Sequence, residues 1–140
     1  MTTKHGLLVR PLSRGNGKQA MKELNIVIPH ERLSDLNSIL YKHEVGGMNV
    51  LKIMGRGHAE RQAMETTTYE GYRTGVRSVP EFSSRTMVQV IVPDSTEKVL
   101  ISDILDRLST GSVGDGKIFV KVVSGAYDIG SKESGEKAAL

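Results

Sequence analysis

Cysteine and tryptophan are absent from the 140 residues, and phenylalanine occurs only twice. Without cysteine there are no disulfides, no thiolate metal sites and no cysteine nucleophile, so thiol redox chemistry is excluded. With so few aromatics, and no aromatic pair on a central strand, the base-stacking platform of an RRM-type RNA reader is missing. No apolar run approaches the roughly 20 residues of a membrane-spanning helix. Gly6-Leu7-Leu8-Val9 is also shorter than the apolar region of a secretory signal, about 7–15 residues. These absences predict a cytoplasmic protein of one domain.

Acid is what residues 1–20 lack. Lys4, Arg10, Arg14 and Lys18 account for the formal net charge of +3, and the remainder is close to neutral. The basic character therefore belongs to a terminal arm, which argues against a nucleic-acid-binding face. Pro11, Gly15 and Gly17 lie in the same stretch without helical or strand periodicity, so residues 1–20 read as a flexible basic extension, with Met21 as an alternative start. His5, His30, His43 and His58 are widely spaced, with no ligand partner at a suitable interval, so no metal site and solvent-exposed histidines are expected. Ser83, Ser84, Ser95 and Ser102 stand in no nucleophile motif and no G-x-S-x-G elbow occurs, so no catalytic residue is assigned.

A regular pattern begins at Met21. Leu24-Asn25-Ile26-Val27-Ile28 suits a central strand closed by Pro29. Leu33, Leu36, Ile39 and Leu40 recur at spacings of three and four, predicting an amphipathic helix over 33–44. Gly46-Gly47 breaks it, and 48–54 alternates as a second strand ending at Gly55-Arg56-Gly57. Residues 58 to about 85 are polar, contain Gly71, Gly75 and Pro80, and read as one long loop. Such loops inside a compact domain are usually functional or disordered, and Tyr69, Tyr72 and Phe82 suggest docking. Residues 86–92 form a third strand. Asp94 and Glu97 outline a capping box, and Val99, Leu100, Ile104, Leu105 and Leu108 supply the apolar face of a second helix ending near Thr110-Gly111. Residues 117–123 complete the set. Two βαβ halves about a long loop predict an α+β, ferredoxin-like βαββαβ sandwich over one antiparallel sheet. Met48, Met54, Met64 and Met87 are expected as core filler.

Gly111-Ser112-Val113-Gly114-Asp115-Gly116-Lys117 packs three glycines and a lysine between a helix and a strand. Such a loop turns backbone N–H groups toward an anion, and Lys117 adds a charge for phosphate. It misses the Walker pattern, because Ile118 stands at the hydroxyl position and a strand follows where a helix is required. An NTPase is therefore disfavoured. The spacing also fits a tight turn with a solvated lysine, but Gly55 and Gly57 form a second glycine pair that could converge on the same ligand.

Thr110-Gly111-Ser112-Val113-Gly114-Asp115-Gly116-Lys117-Ile118-Phe119-Val120 resembles the phosphate-binding B-loop signature of the PII signalling family, T-G-x-x-G-D-G-K-I-F-V. The likeness runs from Met21 to the end, through Gly47-Met48, Gly55-x-Gly57, Val92-Pro93-Asp94 and Gly135-Glu136. It implies a homotrimer with a long T-loop at about 56–85, a B-loop at 110–117 and a C-terminal tail at 124–140. It also implies a non-catalytic signal transducer that binds ATP or ADP between subunits and regulates an ammonium transporter or glutamine synthetase, meeting the membrane only through such a channel. By position, Gly55, Gly57 and His58 would approach the phosphates, Gly114, Asp115, Gly116 and Lys117 would cradle them, and Asn49 would stand near the adenine. Tyr69, Tyr72, Arg73, Arg77 and Arg85 would face a partner or effector.

The chain also departs from the family. Asp128-Ile129-Gly130 replaces an Arg-x-Arg that reaches the phosphates, Ala59 stands where a Gln helps hold Mg²⁺ and 2-oxoglutarate, and Arg85 replaces the usual T-loop Lys. Weak or absent Mg²⁺ and 2-oxoglutarate binding is expected. These departures leave a second reading: an atypical sensor of AMP, ADP, bicarbonate or another anion, regulating a transporter or carbon metabolism.

Overall fold

The computed structural model describes residues 21–56, 64–67, 73–78 and 82–140, the two short middle stretches by backbone pairing only. Strand β1 spans Met21–Ile28, helix α1 Leu33–Lys42 and strand β2 Asn49–Gly55. Strands β3, Met64–Thr67, and β4, Arg73–Ser78, precede β5, Ser83–Pro93. Helix α2, Asp94–Leu108, strand β6, Lys117–Val123, and the short helix α3, Glu136–Ala139, complete the chain.

Alternation along the strands decides the layering. Leu24, Ile26 and Ile28 of β1 and Val88, Val90 and Val92 of β5 point to one face, where Leu36, Ile39 and Leu40 of α1 and Leu100, Ile104 and Leu108 of α2 cover them. Fully burying one such side chain contributes about 1.5–3 kcal/mol relative to exposure, so this cluster dominates the stability of the domain. The main sheet has the order β2-β5-β1-β6, with every pairing antiparallel. Each half places its outer strand beside the central strand of the other half, the interleaving expected of a ferredoxin-like domain.

Several expectations need correction. The span read as one long loop contains the antiparallel pair β3 and β4, and β5 begins at Ser83, inside that span. Polar, glycine-containing strands pair through their backbones and leave no apolar period to read. On α2 the buried stripe is Leu100, Ile104 and Leu108, whereas Val99 and Leu105 are exposed. Successive residues turn by about 100°, which carries positions 99 and 105 off the stripe. The capping box does not form: Pro93 is the N-cap, and the Asp94 carboxylate accepts from Lys22 Nζ at 2.6 Å. Met48 packs against the core, but Met54 is exposed.

Of the described histidines, His30 is exposed, as expected, whereas His43 is half-buried, and each has a polar partner. His30 Nδ1 lies 2.9 Å from Thr86 Oγ1, and His43 Nε2 lies 2.8 Å from Asp103 Oδ2. Among the described residues no group of three His, Cys, Asp or Glu could hold a metal, and no helix is long and apolar enough to cross a membrane.

Candidate functional site

The glycine-rich loop between α2 and β6 is organised by the carboxylate of Asp115. The Thr110 N–H donates to it at 2.6 Å, the Thr110 hydroxyl at 2.6 Å and the Ser112 N–H at 3.2 Å. The Asp115 N–H returns to Ser112 O at 3.2 Å, and the Gly114 N–H donates to Ser112 Oγ at 3.2 Å. The Thr110 hydroxyl, followed by the backbone N–H of the same residue, holds the Asp115 carboxyl below its ordinary range. Asp115 therefore shapes the loop with donors from the loop itself. A carboxylate engaged in this way is a brace for the backbone and not an attractive group for phosphate.

Two tertiary contacts set the loop on the sheet. Gly116 has a φ of +127°, and a Cβ there would lie 2.0 Å from Val27 O, so only glycine passes the end of β1. The Arg85 guanidinium, reaching over from β5, donates from Nη1 to Gly114 O at 2.8 Å. Lys117 is exposed at the first position of β6, and no hydrogen bond or ion pair engages its ammonium group among the described residues.

The strand registers place the other predicted residues. Val27 pairs with Lys117 and with Met87, Arg85 pairs with Ile53, and Gly55 pairs with Ser83. Arg85 joins the glycine loop at the end of the sheet where Lys117 begins β6, and Gly55 lies at that same end but on β2, at the opposite edge. Asn49 sits elsewhere: it pairs with Gln89, which faces Asn25, which faces Phe119. Asn49 is separated from β6 by three inter-strand steps, about 14 Å. Its amide donates to Gln89 Oε1 at 3.3 Å, a partner that sequence reading did not single out. Gly57, His58, Tyr69 and Tyr72 lie outside the described residues, as does the extension 1–20. Arg73 and Arg77 fall on β4, Arg77 opposite Glu65 and Arg73 opposite Thr67. Arg85, expected to face a partner or effector, bonds to the glycine loop.

The tail closes on itself. Asp128 accepts from the Ser131 N–H at 2.8 Å and the Ser131 hydroxyl at 3.1 Å, its own N–H reaches Glu133 O at 2.8 Å, and Tyr127 bridges to Ser134. The Ser131 N–H, with its hydroxyl, holds the Asp128 carboxyl below the ordinary range. Asp128 is thus a turn-forming residue.

Comparison with known proteins bears on the whole of this arrangement. The family described as "Nitrogen regulatory protein P-II" matches residues 21–133. The chain belongs to the P-II family. Among its relatives, nitrogen regulatory protein P-II 2 of Methanothermobacter thermautotrophicus is 32% identical over 118 residues, covering 84% of this chain and 96% of that protein. B. subtilis GlnK superposes with a TM-score of 0.64 at 26% identity, covering 85% of this chain and 98% of GlnK. The same GlnK in complex with ATP superposes at 0.62, again at 26% identity, with coverage of 86% and 98%. The P-II match includes the glycine loop and ends within the tail turn.

Proposed function

We propose that this P-II protein is a non-catalytic regulator of the cytoplasm, assembled as a homotrimer, that binds ATP or ADP between subunits. Nucleotide binding changes the presentation of the T-loop, about 56–85, to a nitrogen-metabolism target such as an ammonium transporter or glutamine synthetase. The observation that carries the reading is the glycine loop. Its shape is set by contacts within the chain, and it presents the unengaged cation Lys117 at the sheet end that also holds Gly55. The roughly 14 Å between Asn49 and β6 favours a site shared between neighbouring subunits, with Asn49 reading the adenine and its amide oriented by Gln89. The exposed side chains Leu51 and Phe119 on the sheet face away from the helices offer an apolar surface for the neighbouring copies. The two glycine regions would then hold the phosphates, with His58 and Gly57 beside Gly55, while Tyr69, Tyr72, Arg73 and Arg77 would meet the target. Switching energy would come from the different affinity of each ligand for two arrangements of that segment.

A second reading rests on the tail. The Asp128 turn carries Lys132 but no arginine, and a lysine does not reproduce the arginine fork, which favours a site selective for AMP, ADP or a smaller anion, with Mg²⁺ and 2-oxoglutarate dispensable. Calorimetry with ATP, ADP and AMP, with and without Mg²⁺ and 2-oxoglutarate, separates the two. ATP binding that tightens with 2-oxoglutarate supports the nitrogen reading and refutes the second; a preference for AMP, with no effect of 2-oxoglutarate, supports the second. Lys117→Ala is expected to weaken nucleotide binding roughly 10- to 100-fold, the loss of one charge-assisted contact. A monomer that binds no adenine nucleotide would sink both.

A further inference from the structure

A row of side-chain amides crosses the sheet on the face away from the helices. Leu24 and Ile26 of β1 and Val88 and Val90 of β5 point into the helical layer, so Glu23, Asn25 and Gln89, which alternate with them, point the other way. Register sets Asn49 opposite Gln89 and Gln89 opposite Asn25. The bonds then run in one direction. Asn49 Nδ2 donates to Gln89 Oε1 at 3.3 Å, Gln89 Nε2 to Asn25 Oδ1 at 3.5 Å, and Asn25 Nδ2 to Glu23 Oε2 at 2.8 Å. Lys121 Nζ stands 3.9 Å from the same Glu23 oxygen. Among the described residues, no hydrogen bond engages Asn49 Oδ1.

The carboxylate at the end of the row decides that direction. An amide can exchange its oxygen and nitrogen by turning round, whereas a carboxylate offers acceptors alone. Asn25 is buried, so its Nδ2 has to meet Glu23; the reverse would press two acceptors together at 2.8 Å. Asn25 then presents Oδ1 to Gln89, Gln89 presents Oε1 to Asn49, and Asn49 is left with its oxygen outward. Turning any one amide sets like groups against each other at its neighbours, so the row is oriented as a unit.

We propose that Glu23 is a positioning residue that sets nucleobase selectivity from two strands away, by holding the Asn49 oxygen outward to accept from an exocyclic amino group. A base that carries a carbonyl at the same position meets that oxygen with another acceptor. The inference rests on, and deepens, the reading of Asn49 as the adenine contact, whereas the direction of the row stands on hydrogen-bond chemistry alone.

Competition between ADP and inosine diphosphate, which replaces the amino group by a carbonyl, tests the selectivity on the full chain. The wild type is expected to prefer ADP roughly tenfold or more, the effect of one hydrogen bond replaced by an unpaired acceptor. Glu23→Gln keeps the shape of the side chain but adds a donor, so the row can turn and the preference falls to within about threefold. Adding Gln89→Glu sets an acceptor-only group directly beside Asn49 and restores the preference. A merely structural role for Glu23 would instead weaken both nucleotides and leave their ratio unchanged. Side-chain amide NMR of the free protein reads the row itself: the Asn25, Gln89 and Asn49 signals should move together in Glu23→Gln. The proposal is overturned if that variant keeps the wild-type ratio within about twofold, if the double variant does not restore it, or if the Asn49 signal stays in place. Equal binding of ADP and inosine diphosphate by the wild type would overturn the selectivity and leave the nucleotide reading standing. Failure to bind ADP at all would overturn that reading and the selectivity with it, while the NMR signals would still decide the direction of the row.

Discussion

Residues 110–117 and 126–135 each fold around an aspartate that collects donors from its own turn, yet they end in different physical situations. Asp115 gathers Thr110 and Ser112, and Asp128 gathers Ser131; both carboxyls are held below their ordinary range by these bonds. The glycine loop is then fastened to the sheet by Gly116 against Val27 and by Arg85 on Gly114. The tail turn is closed by bonds among residues 126–135. Local chemistry is enough to make a turn. Attachment to a rigid sheet is what gives a loop fixed coordinates from which to recognise a ligand.

The strongest way to break this comparison is to place a methyl group at the point of attachment. Gly116→Ala is expected to destabilise the protein by roughly 3 kcal/mol or more in denaturant unfolding, because the Cβ collides with main chain and the backbone conformation is one that alanine avoids. Gly130→Ala in the tail meets only Asp128 Oδ1 at an ordinary contact distance of 3.4 Å, and should stay within about 0.5 kcal/mol. Equal effects would mean that the two turns are held alike.

A smaller effect isolates backbone strain from collision. Gly111 has a φ of +83° but open space around its missing Cβ, so Gly111→Ala should cost about 1–2 kcal/mol, visible as a lowered melting midpoint. A cost as large as that of Gly116→Ala would show that attachment to Val27 is not the deciding contact.

The smallest effect is expected from acid. For Asp115 and Asp128 the folded pKa lies below the unfolded one, so each carboxylate contributes its full stabilisation above about pH 4 and loses it as pH falls through the lowered folded value. Titration followed by NMR should show the Thr110 and Ser112 amides moving with Asp115, and the Ser131 amide moving with Asp128. Asp115→Asn should abolish the first response and weaken nucleotide binding, whereas Asp128→Asn should abolish the second alone. Loss of nucleotide binding in Asp128→Asn would place the tail in the site and blur the distinction.

Much of the fold was legible because burial imposes a period. Leu36, Ile39 and Leu40 repeat as a helix must, and Lys117–Val123 reads as the strand it is. The β3 and β4 pair was not legible, since polar strands joined by backbone bonds carry no apolar alternation. Asp94 looked like a cap until Lys22, 72 residues away, took its carboxylate. At the site, the glycine loop and Lys117 were visible as a dense local motif, and the likeness to the P-II family rested on them. Gln89 as the partner of Asn49, and Arg85 as a member of the loop, were hidden because each contact joins residues far apart in the chain.

The amino-acid order alone determined the P-II fold, the absence of thiol chemistry, and a glycine loop carrying one lysine, because periodicity, composition and turn chemistry act over a few neighbouring residues. Only the tertiary structure decided that Gly116 must pass Val27, that Arg85 belongs to the loop, and that Asn49 lies across the sheet from Lys117. Those facts depend on strand order and register, which bring distant residues into contact and leave no mark on the residues between them.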